Sequence, residues 1–386
     1  MRNLKVIVIG AGIGGLTAGI ALKQAGCHVE IYDRVQELRP VGAGISLWSN
    51  GVKVLNRLGL GEGIARIGGE MNRMEYRTAT GDPLNQISLL PLIEKVGQRP
   101  YPVARRDLQM LLLEGFQEPV HLGYRCMDVQ EDDTGVTAFF DNGQEAKGDL
   151  VVAADGIRSA VRSYVLGYEV DPSYVGYVNW NGLVPVSPDL ARPDSWDIYV
   201  GDHKRVSLMP VGGERFYFFF DVPLPVDTSN NPATYQAELK QHFRGWADPV
   251  QALIEQMDPM TVARPEIHDM GPIESYARGR VALLGDAAHS TCPDLGQGGC
   301  QAMEDGYVLA HYLATISTGI PEALQRYSQE RTERANAVVQ KARSRAEQIH
   351  GKDPQITEQW YQQLAHESPT DVTDAIAKVI LAGPMR

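Results

Sequence analysis

The segment that decides the fold is residues 4–15, with the sequence LKVIVIGAGIGG. Its first half is apolar and rich in β-branched side chains, which is typical of a buried parallel strand. Gly10, Gly12 and Gly15 then form the pattern GxGxxG directly after the strand. Glycines at this spacing let the backbone turn tightly and approach a pyrophosphate, which binds at the N-terminus of the following helix. The segment therefore predicts a dinucleotide site.

The residues that follow supply the context that this pattern needs. Residues 16–25 are rich in Ala, Leu and Ile and predict a helix that ends at Gly26. Residues 28–32 predict a second strand, which ends at Asp33. A carboxylate at this strand end can accept hydrogen bonds from the ribose hydroxyls. The resulting βαβ unit is expected to bind NAD or FAD, between which this pattern does not distinguish.

The composition changes farther along the chain. The predicted later elements are strands at residues 174–184, 196–200, 205–209, 215–221 and 280–284, and helices at residues 302–314 and 321–349. The run 215–221, RFYFFFD, predicts an antiparallel strand that packs on one face and lines a pocket with the other. We therefore predict an α/β fold with a Rossmann-like dinucleotide-binding domain, an inserted mixed β-sheet domain and C-terminal helices. A length of 386 residues accommodates two domains of ordinary size.

Charge and cysteine content exclude several classes of function. The net charge of −12 lacks the basic footprint of a nucleic-acid binder, and no apolar run approaches the length of a membrane span. The N-terminal apolar segment enters the glycine pattern at once and does not resemble a signal peptide. The four cysteines form no CxxC pair, so we expect reduced thiols, no metal site and a cytoplasmic protein.

Two further motifs favour FAD over NAD. Residues 151–159, VVAADGIRS, end a predicted strand at Asp155. Residues 285–299, GDAAHSTCPDLGQGG, combine a strand end, a sharp turn and a glycine-rich loop that opens a helix. Asp286 at that strand end can hold the ribityl chain of a flavin. The N–H groups at the helix start can face the flavin N1–C2=O edge, where negative charge accumulates on reduction. We assign His289 in this segment a structural role rather than that of a general base.

In this order and spacing, the three motifs resemble those of the FAD-dependent aromatic-ring monooxygenases. This single-component class includes hydroxylases of p-hydroxybenzoate and salicylate, and the resemblance covers both ends and the middle of the chain. It implies an FAD site built from Gly10, Gly12, Gly15, Asp33, Arg34, Arg105, Cys126, Asp155, Asp286, Pro293, Gly296, Gln297, Gly298 and Gly299. Arg105 is expected to contact the pyrophosphate or the ribityl chain.

Other runs are similar to the urate-hydroxylating branch of this family. They are residues 178–184, 204–210, 216–225, 291–299 and the sequence His350-Gly351-Lys352. A flat anionic ring requires apolar walls and a few placed polar groups, including a positive charge. Arg205 on one strand, opposite an aromatic strand with Tyr217, can supply both. The resemblance implies that Arg205 binds the urate anion and that Tyr217 positions it, so these are the candidate catalytic residues. Asn179, Gln297 and Gly298 are the other candidate substrate contacts.

The resemblance also implies a reaction. NADH and O2 are the expected co-substrates, and urate is hydroxylated at C5 to 5-hydroxyisourate through a flavin C4a-hydroperoxide, in purine degradation. No second GxGxxG is present, so the nicotinamide nucleotide is expected to bind transiently, and the residues alone do not separate NADH from NADPH. The alternatives are a hydroxylase of a salicylate- or 6-hydroxynicotinate-type acid, which would also use an Arg, and a non-catalytic FAD-binding redox module.

The expected domains interleave along the sequence. The FAD-binding domain comprises residues 1–72, 98–168 and 264–350, and the substrate domain comprises residues 73–97 and 169–263. Residues 351–386 form a C-terminal helical segment, which either packs on the core or mediates a homodimer. We expect no nucleic-acid or membrane partner.

Overall fold

Two large β-sheets organise the chain, and the computed structural model describes residues 3–38, 43–315 and 317–385. The strands are β1 Lys5–Ile9, β2 His28–Asp33, β3 Gly44–Ile45, β4 Arg73–Thr78, β5 Pro83–Ser88, β6 Val103–Ala104, β7 Val120–Leu122, β8 Cys126–Asp132, β9 Gly135–Phe140, β10 Glu145–Gly148, β11 Leu150–Ala153, β12 Ser173–Pro185, β13 Ser195–Gly201, β14 Lys204–Val211, β15 Arg215–Pro223, β16 Glu266–Asp269, β17 Ala277–Arg278 and β18 Val281–Leu283. The helices are α1 Ile13–Gln24, α2 Ser49–Arg57, α3 Gly61–Ile67, α4 Leu90–Val96, α5 Arg105–Phe116, α6 Arg162–Leu166, α7 Pro232–His242, α8 Asp248–Gln256, α9 Asp286–His289, α10 Gly298–Thr315, α11 Ile320–His350, α12 Pro354–His366 and α13 Pro369–Leu381. Short 3-10 turns lie at Pro259–Thr261 and Pro293–Leu295.

The first sheet has the strand order β17-β18-β11-β1-β2-β7 and is parallel except for β17. Its centre is β1, whose residues Val6, Ile7 and Val8 have no exposed surface. The predicted strand, glycine turn, helix and strand are confirmed. Helix α1 begins at Ile13, three residues earlier than predicted, because Gly12 is its N-cap in an extended conformation and the next glycines fit into the first helical turn.

The second sheet is the predicted mixed sheet, with the order β16-β12-β15-β14-β13-β4-β5. Its pairs are antiparallel except for β13 with β4. Most of its strands come from residues between β11 and β18 of the first sheet, which makes it an insertion. Strand β16 also pairs here, although it lies within residues 264–350, which the sequence analysis groups with the first domain. The domain boundaries stay a prediction.

The aromatic strand β15 separates two environments. Phe216, Phe218 and Phe220 pack in a core that α7 and α8 cover with residues such as Leu239 and Val250. Because strand side chains alternate, Tyr217, Phe219 and Asp221 lie on the opposite face, where Tyr217 packs on Gly44 of β3. The run RFYFFFD therefore supplies both the core of the inserted domain and the wall of a site, as its sequence predicts.

The C-terminal helices complete the fold. Helix α10 packs on α1, α2 and α11, and α13 packs on α4 and β5. Trp360 of α12 is buried, and its ring lies edge-on to Tyr76. Residues 354–381 thus pack on the core, which is one of the two roles expected for the C-terminal segment. None of the helices in the described ranges is both long and apolar enough to cross a membrane.

Candidate active site

The glycine turn at the end of β1 is close-packed on one side and open on the other. Gly10 has a φ of +106°, and a Cβ on it would lie 2.2 Å from the oxygen of Ala154. A Cβ on Gly15 would lie 1.9 Å from the oxygen of Gly10. A Cβ on Gly12 would instead have no neighbour within 4 Å among the described atoms. Gly10 and Gly15 thus allow the backbone to turn, and Gly12 leaves space above the N-terminus of α1, where phosphate groups bind.

A cavity of about 410 Å³ opens beside this turn. Of the residues that the sequence analysis assigned to the cofactor, it is lined by Gly10, Gly12, Asp33, Arg34, Cys126 and Asp155. The Asp33 carboxylate accepts hydrogen bonds from the backbone N–H groups of Ala11 (2.7 Å) and Val35 (3.0 Å). These bonds fix the carboxylate at the strand end and leave lone pairs for ribose hydroxyls.

The strand end at Asp155 contains an acceptor without a partner. Asp155 Oδ2 accepts from the Ala160 N–H at 2.9 Å, whereas Oδ1 is buried and has no hydrogen-bond partner among the described residues. Burial also raises the pKa of this carboxyl. A buried acceptor in a cavity wall is suited to a ligand hydroxyl. The open space at Gly12 and this acceptor together fit the ribose, pyrophosphate and ribityl groups of FAD.

Arg162 joins the strand end before Asp286 to the strand end at Asp155. Its guanidinium donates to the carbonyl oxygens of Ala287 (2.9 Å) and Ile157 (2.5 Å) and therefore connects α9 to the Asp155 segment. Asp286 begins α9 with an exposed side chain. The predicted ribityl contact thus lies close to Asp155. A larger cavity of about 930 Å³ lies between α10, α11 and α13 and contains none of the predicted site residues.

His289 is held inside the protein. Its Nε2 lies 2.6 Å from Asp305 Oδ2, which also accepts from the Gly285 N–H at 2.9 Å. Arg331 donates to the other oxygen of Asp305 and to Glu304, and all three side chains are inaccessible to solvent. This arrangement agrees with the structural role predicted for His289.

The loop of residues 293–299 packs on β3. Cβ atoms on Gly296 and Gly299 would lie 2.9 Å from Ser46 and 2.5 Å from Ile45, respectively. Pro293 begins the short turn that leads into this loop, and Gly298 begins α10. The first N–H groups of α10 have no partner within the helix and can face a flavin carbonyl.

Gln297 is engaged within the protein. Its Oε1 accepts from Asn50 Nδ2 (3.0 Å) and Gln301 Nε2 (3.1 Å), and its Nε2 lies 3.4 Å from Asn50 Oδ1. The side-chain amide that was expected to contact substrate therefore holds the 293–299 loop against α2 and α10. The sequence pattern located the loop correctly but carried no information on the orientation of this side chain.

The candidate substrate residues meet on the open face of β15. Arg205 of β14 pairs in register with Asp221 of β15, and its guanidinium lies 5.1 Å from the ring centre of Phe219. Tyr217 packs over Gly44, where a Cβ would lie 2.3 Å from its ring. Arg105, exposed at the start of α5, is close enough for its charge to act on the Tyr217 hydroxyl. The aromatic wall, Arg205 and Arg105 thus lie beside β3 and the 293–299 loop.

A continuous series of hydrogen bonds runs behind this wall, which we call the polar chain. It begins at the Ala43 N–H, which donates to Asn181 Oδ1 at 3.1 Å. Asn181 donates to Asn179 at 2.8 Å, and Asn179 donates to Asp221 Oδ1 at 2.6 Å. Asn179 therefore reaches the site through Asp221, and its own amide is occupied by protein groups.

The polar chain continues through Arg205. Its Nε donates to Asp221 Oδ2 at 2.8 Å, and its Nη2 donates to Asp294 Oδ1 at 3.0 Å. The Tyr177 hydroxyl donates to Asp294 Oδ2 at 2.7 Å. Burial alone would lower the pKa of Arg205, but Asp221 and Asp294 raise it, so the guanidinium stays charged. Asp294 belongs to the 293–299 loop, so the polar chain joins that loop to the second sheet.

Two hydrogen-bond donors remain available at this wall. Arg205 Nη1 and the Tyr217 hydroxyl have no hydrogen-bond partner within residues 3–38, 43–315 and 317–385. Burial, followed by the charge of Asp221, raises the pKa of Tyr217, so its hydroxyl keeps its proton at neutral pH. A fixed cation and a neutral donor beside aromatic rings can hold a flat anion that has carbonyl edges.

Four residues of this site were not predicted from the sequence: Asp221, Asp294, Asn181 and Tyr177. One signal was present for Asp221, because it lies two and four positions after Phe219 and Tyr217 and therefore on the same strand face. Asp294 was quoted as part of the 293–299 region without a role. Its contact with Arg205 joins residues 89 positions apart, which no local pattern encodes.

Comparison with known proteins gives a consistent result. The sequence profile of a family described as "FAD binding domain" matches residues 3–342. The FAD-dependent urate hydroxylase of Klebsiella pneumoniae subsp. pneumoniae is 50% identical over 384 residues, which cover 99% of this chain and 100% of that protein. The FAD-dependent urate hydroxylase of Mycolicibacterium vanbaalenii is 45% identical over 386 residues, which cover 99% and 98%. The crystal structure of Klebsiella pneumoniae HpxO complexed with FAD and uric acid superposes with a TM-score of 0.96 at 48% identity, covering 99% of this chain and 98% of that one.

Proposed function

Because the chain belongs to the FAD-binding domain family and matches urate hydroxylases over their whole length, we propose that it is an FAD-dependent monooxygenase that hydroxylates urate. The observation that carries the proposal is a pair of donors, Arg205 Nη1 and the Tyr217 hydroxyl, which have no partner among the described residues and lie at an aromatic wall beside the 293–299 loop. The HpxO structure with FAD and uric acid supports the same substrate.

When it is bound, FAD supplies the activation of O2 and the transfer of one oxygen atom to the ring. The fourteen residues that the sequence assigned to FAD remain our proposal for this site. They fall into the glycine turn, the three strand ends at Asp33, Asp155 and Asp286, the side chains of Arg34, Arg105 and Cys126, and the 293–299 loop. NADH as the reductant, C5 as the hydroxylated carbon and 5-hydroxyisourate as the product are part of the same proposal.

The protein residues bind and orient the ring. Arg205 presents its Nη1 to the anion and stabilises the electron-rich form, which is the form that an electrophilic oxygen attacks. Tyr217 contributes its hydroxyl as a donor and its ring as a wall, and Phe219 continues that wall. The aromatic surface also keeps water from the reacting atoms.

The other predicted substrate residues act through their neighbours. Asn179 orients Asp221 and thereby Arg205, and Gln297 fixes the loop that carries Gly298. We further propose a cytoplasmic location and a role in purine degradation. The four buried, free cysteines are compatible with a reducing compartment. Homodimerisation stays a prediction.

The test measures NADH consumption by the purified FAD-containing protein with and without urate, and follows the ultraviolet absorbance of urate in parallel. We expect urate to stimulate NADH oxidation and to disappear in about a one-to-one ratio. If urate accelerates NADH loss without being consumed, the substrate is another ring. If urate has no effect, the assignments of Arg205 and Tyr217 are wrong.

A matched pair of variants tests the site itself. R205Q removes the cation beside Phe219 and should lower urate turnover by about 10- to 100-fold, the cost of losing a hydrogen bond to a charged group, while FAD stays bound. Arg264 is a suitable control, because it is also buried and its guanidinium lies 4.6 Å from the ring centre of Trp180, which belongs to β12 of the second sheet. R264Q should lose far less activity; equal losses in the two variants contradict the proposed role of Arg205.

A further inference from the structure

His350 is buried next to the polar chain but takes no part in it. Its residue is 6% exposed, and its ring lies 4.2 Å from the ring centre of Tyr177. Nδ1 lies 2.9 Å from the carbonyl oxygen of His203, so this nitrogen carries the hydrogen. In the neutral ring, Nε2 then bears a lone pair. That atom is buried and has no hydrogen-bond partner in the part of the chain that the structure describes.

The unpartnered nitrogen faces two carboxylate oxygens. His350 Nε2 lies 3.7 Å from Asp221 Oδ2 and 3.7 Å from Asp294 Oδ1. Arg205 Nη2 contacts the same two oxygen atoms, at 2.7 Å and 3.0 Å. Without a proton on Nε2, lone pairs face lone pairs, which agrees with a separation longer than a hydrogen bond. With a proton there, the imidazolium could donate to either oxygen.

Arg205, Asp221, Asp294 and His350 form a buried cluster whose charge is unbalanced. One guanidinium faces two carboxylates whose side chains have no exposed surface, so the cluster has one net negative charge when His350 is neutral. Uncompensated buried charge is costly, and an anionic substrate beside Arg205 would add to it. One more positive charge would balance the carboxylates and leave the charge of Arg205 to the substrate.

We propose that binding of the urate anion is coupled to the uptake of one proton by His350. This inference rests on the proposed function. Imidazole and one proton from solvent become imidazolium, so the cluster changes from one net negative charge to neutral as the anion enters. His350 does not touch the substrate in this account. It is a positioning residue that sets the charge next to Arg205.

The surroundings of His350 support this assignment. The titratable and charged groups around it are Tyr177 on β12, His203 between β13 and β14, Arg205 on β14, Asp221 on β15 and Asp294 in the 293–299 loop, with Tyr361 of α12 beyond His203. Burial lowers the pKa of His350, although Asp221 and Asp294 oppose that effect. The ring is therefore neutral before urate binds. Burial, followed by the charge of Asp294, raises the pKa of Tyr177, which stays a neutral donor.

The experiment titrates urate into the oxidised, FAD-loaded protein without NADH, so that binding is measured without turnover. Calorimetry in two buffers of different ionisation enthalpy gives the number of protons taken up, and the Kd is measured as a function of pH. Because the bound state needs the proton, affinity is full below the pKa of His350 and falls as pH rises through it. We expect uptake of about one proton and a Kd that rises about tenfold per pH unit on the alkaline side.

Two histidine variants separate this role from a structural one. H350Q has no imidazole to protonate, so proton uptake by the protein should disappear and the Kd should be weak and, apart from the titration of urate itself, independent of pH. H268Q is the matched control, since His268 Nδ1 also lies 3.1 Å from a backbone carbonyl and its ring lies 5.4 Å from Tyr174, away from the cluster. H268Q should behave as wild type. Urate contributes the same titration to every variant.

The outcomes are distinct. Proton uptake that persists in H350Q, or its absence in wild type at every pH, overturns the inference while urate binding itself stands. Failure of urate to bind the wild-type holoenzyme removes the proposed function and this inference together. If H350Q does not fold with FAD, D221N provides the test, because one carboxylate fewer leaves the cluster balanced without a proton. Uptake that persists in D221N would equally overturn the inference.

Discussion

Replacing Arg331 by Met should destabilise the protein strongly and loosen the FAD site. The guanidinium donates to Asp305 at 2.6 Å, to Glu304 at 2.7 Å and to the side chain of Gln301 at 2.8 Å, and it is inaccessible to solvent. Met has a similar length but no charge, so R331M leaves two buried carboxylates with less compensation. Removing one partner of such a buried pair costs about 3–5 kcal/mol. We expect the free energy of unfolding to fall by that amount.

The effect of R331M should reach the cofactor, because the Asp305 carboxylate also holds the strand end before Asp286. Asp305 accepts from the Gly285 N–H and lies against His289, and Gln301 donates to Gln297 of the 293–299 loop. R331M should therefore release FAD at a lower urea concentration than wild type. Urea unfolding followed by tryptophan and flavin fluorescence measures both quantities.

A surface pair on the same helix supplies the control. Arg326 and Glu322 form an exposed i,i+4 pair on α11, a type of pair that contributes about 0.3–0.5 kcal/mol. R326M should therefore unfold almost as wild type does. Exposed ion pairs contribute up to about 1 kcal/mol. If the free energy of unfolding of R331M falls by less than that amount, the buried network does not hold the site.

The loss of stability in R331M should depend on pH with a definite sign. Burial alone would raise the pKa of Asp305, but His289 and Arg331 lower it below its usual range. The pKa of Glu304 is likewise lowered by Arg331 and Arg334 against the effect of burial. Their stabilising contribution is present above the unfolded pKa values, about 4, and is lost as pH falls toward the folded values. The difference between wild type and R331M should therefore be largest near neutral pH and narrow in acid.

Three other predictions concern the cofactor site and the thiols. G15A should lower both the melting temperature and the FAD content because a Cβ there meets the turn at 1.9 Å, whereas G12A should keep the fold and weaken FAD binding; equal melting losses in both would contradict this packing account. D286A should lower flavin occupancy with little change in the apoprotein's melting temperature, and a fully yellow D286A protein of native flavin affinity would exclude the assigned role. Burial raises the pKa of Cys126 and of Cys300 to about 12, so neither thiol should react with a disulfide reagent in native protein near pH 8, and rapid labelling of either would contradict the structure.

The parts of the fold that the sequence predicted are those with local signals. The GxGxxG pattern between β1 and α1 defines strand, turn and helix within a few residues, and the alternation in residues 215–221 defines two strand faces. Helices α7 and α8 were not predicted, although Asn231 before Pro232 is a typical helix start and its side chain accepts from the Ala233 N–H.

The candidate site was predicted as a set of residues but not as a set of contacts. Arg205 and Tyr217 were identified, whereas the partners that hold Arg205 come from a different strand and from a loop near residue 294. The contact with Asp294 depends on how the 293–299 loop approaches the second sheet, and no spacing along the chain encodes that distance. The orientation of Gln297 was beyond prediction for the same reason, since Asn50 lies 247 positions away.

The polar chain has a consequence for changing the specificity of this protein. Asn181, Asn179, Asp221, Arg205 and Asp294 are connected in series, so a substitution at one position alters the geometry offered to the next. Effects at neighbouring positions of such a network are not additive. Libraries that vary one position around Arg205 at a time should therefore contain mostly inactive variants. A change of ring specificity requires that the five positions be varied together.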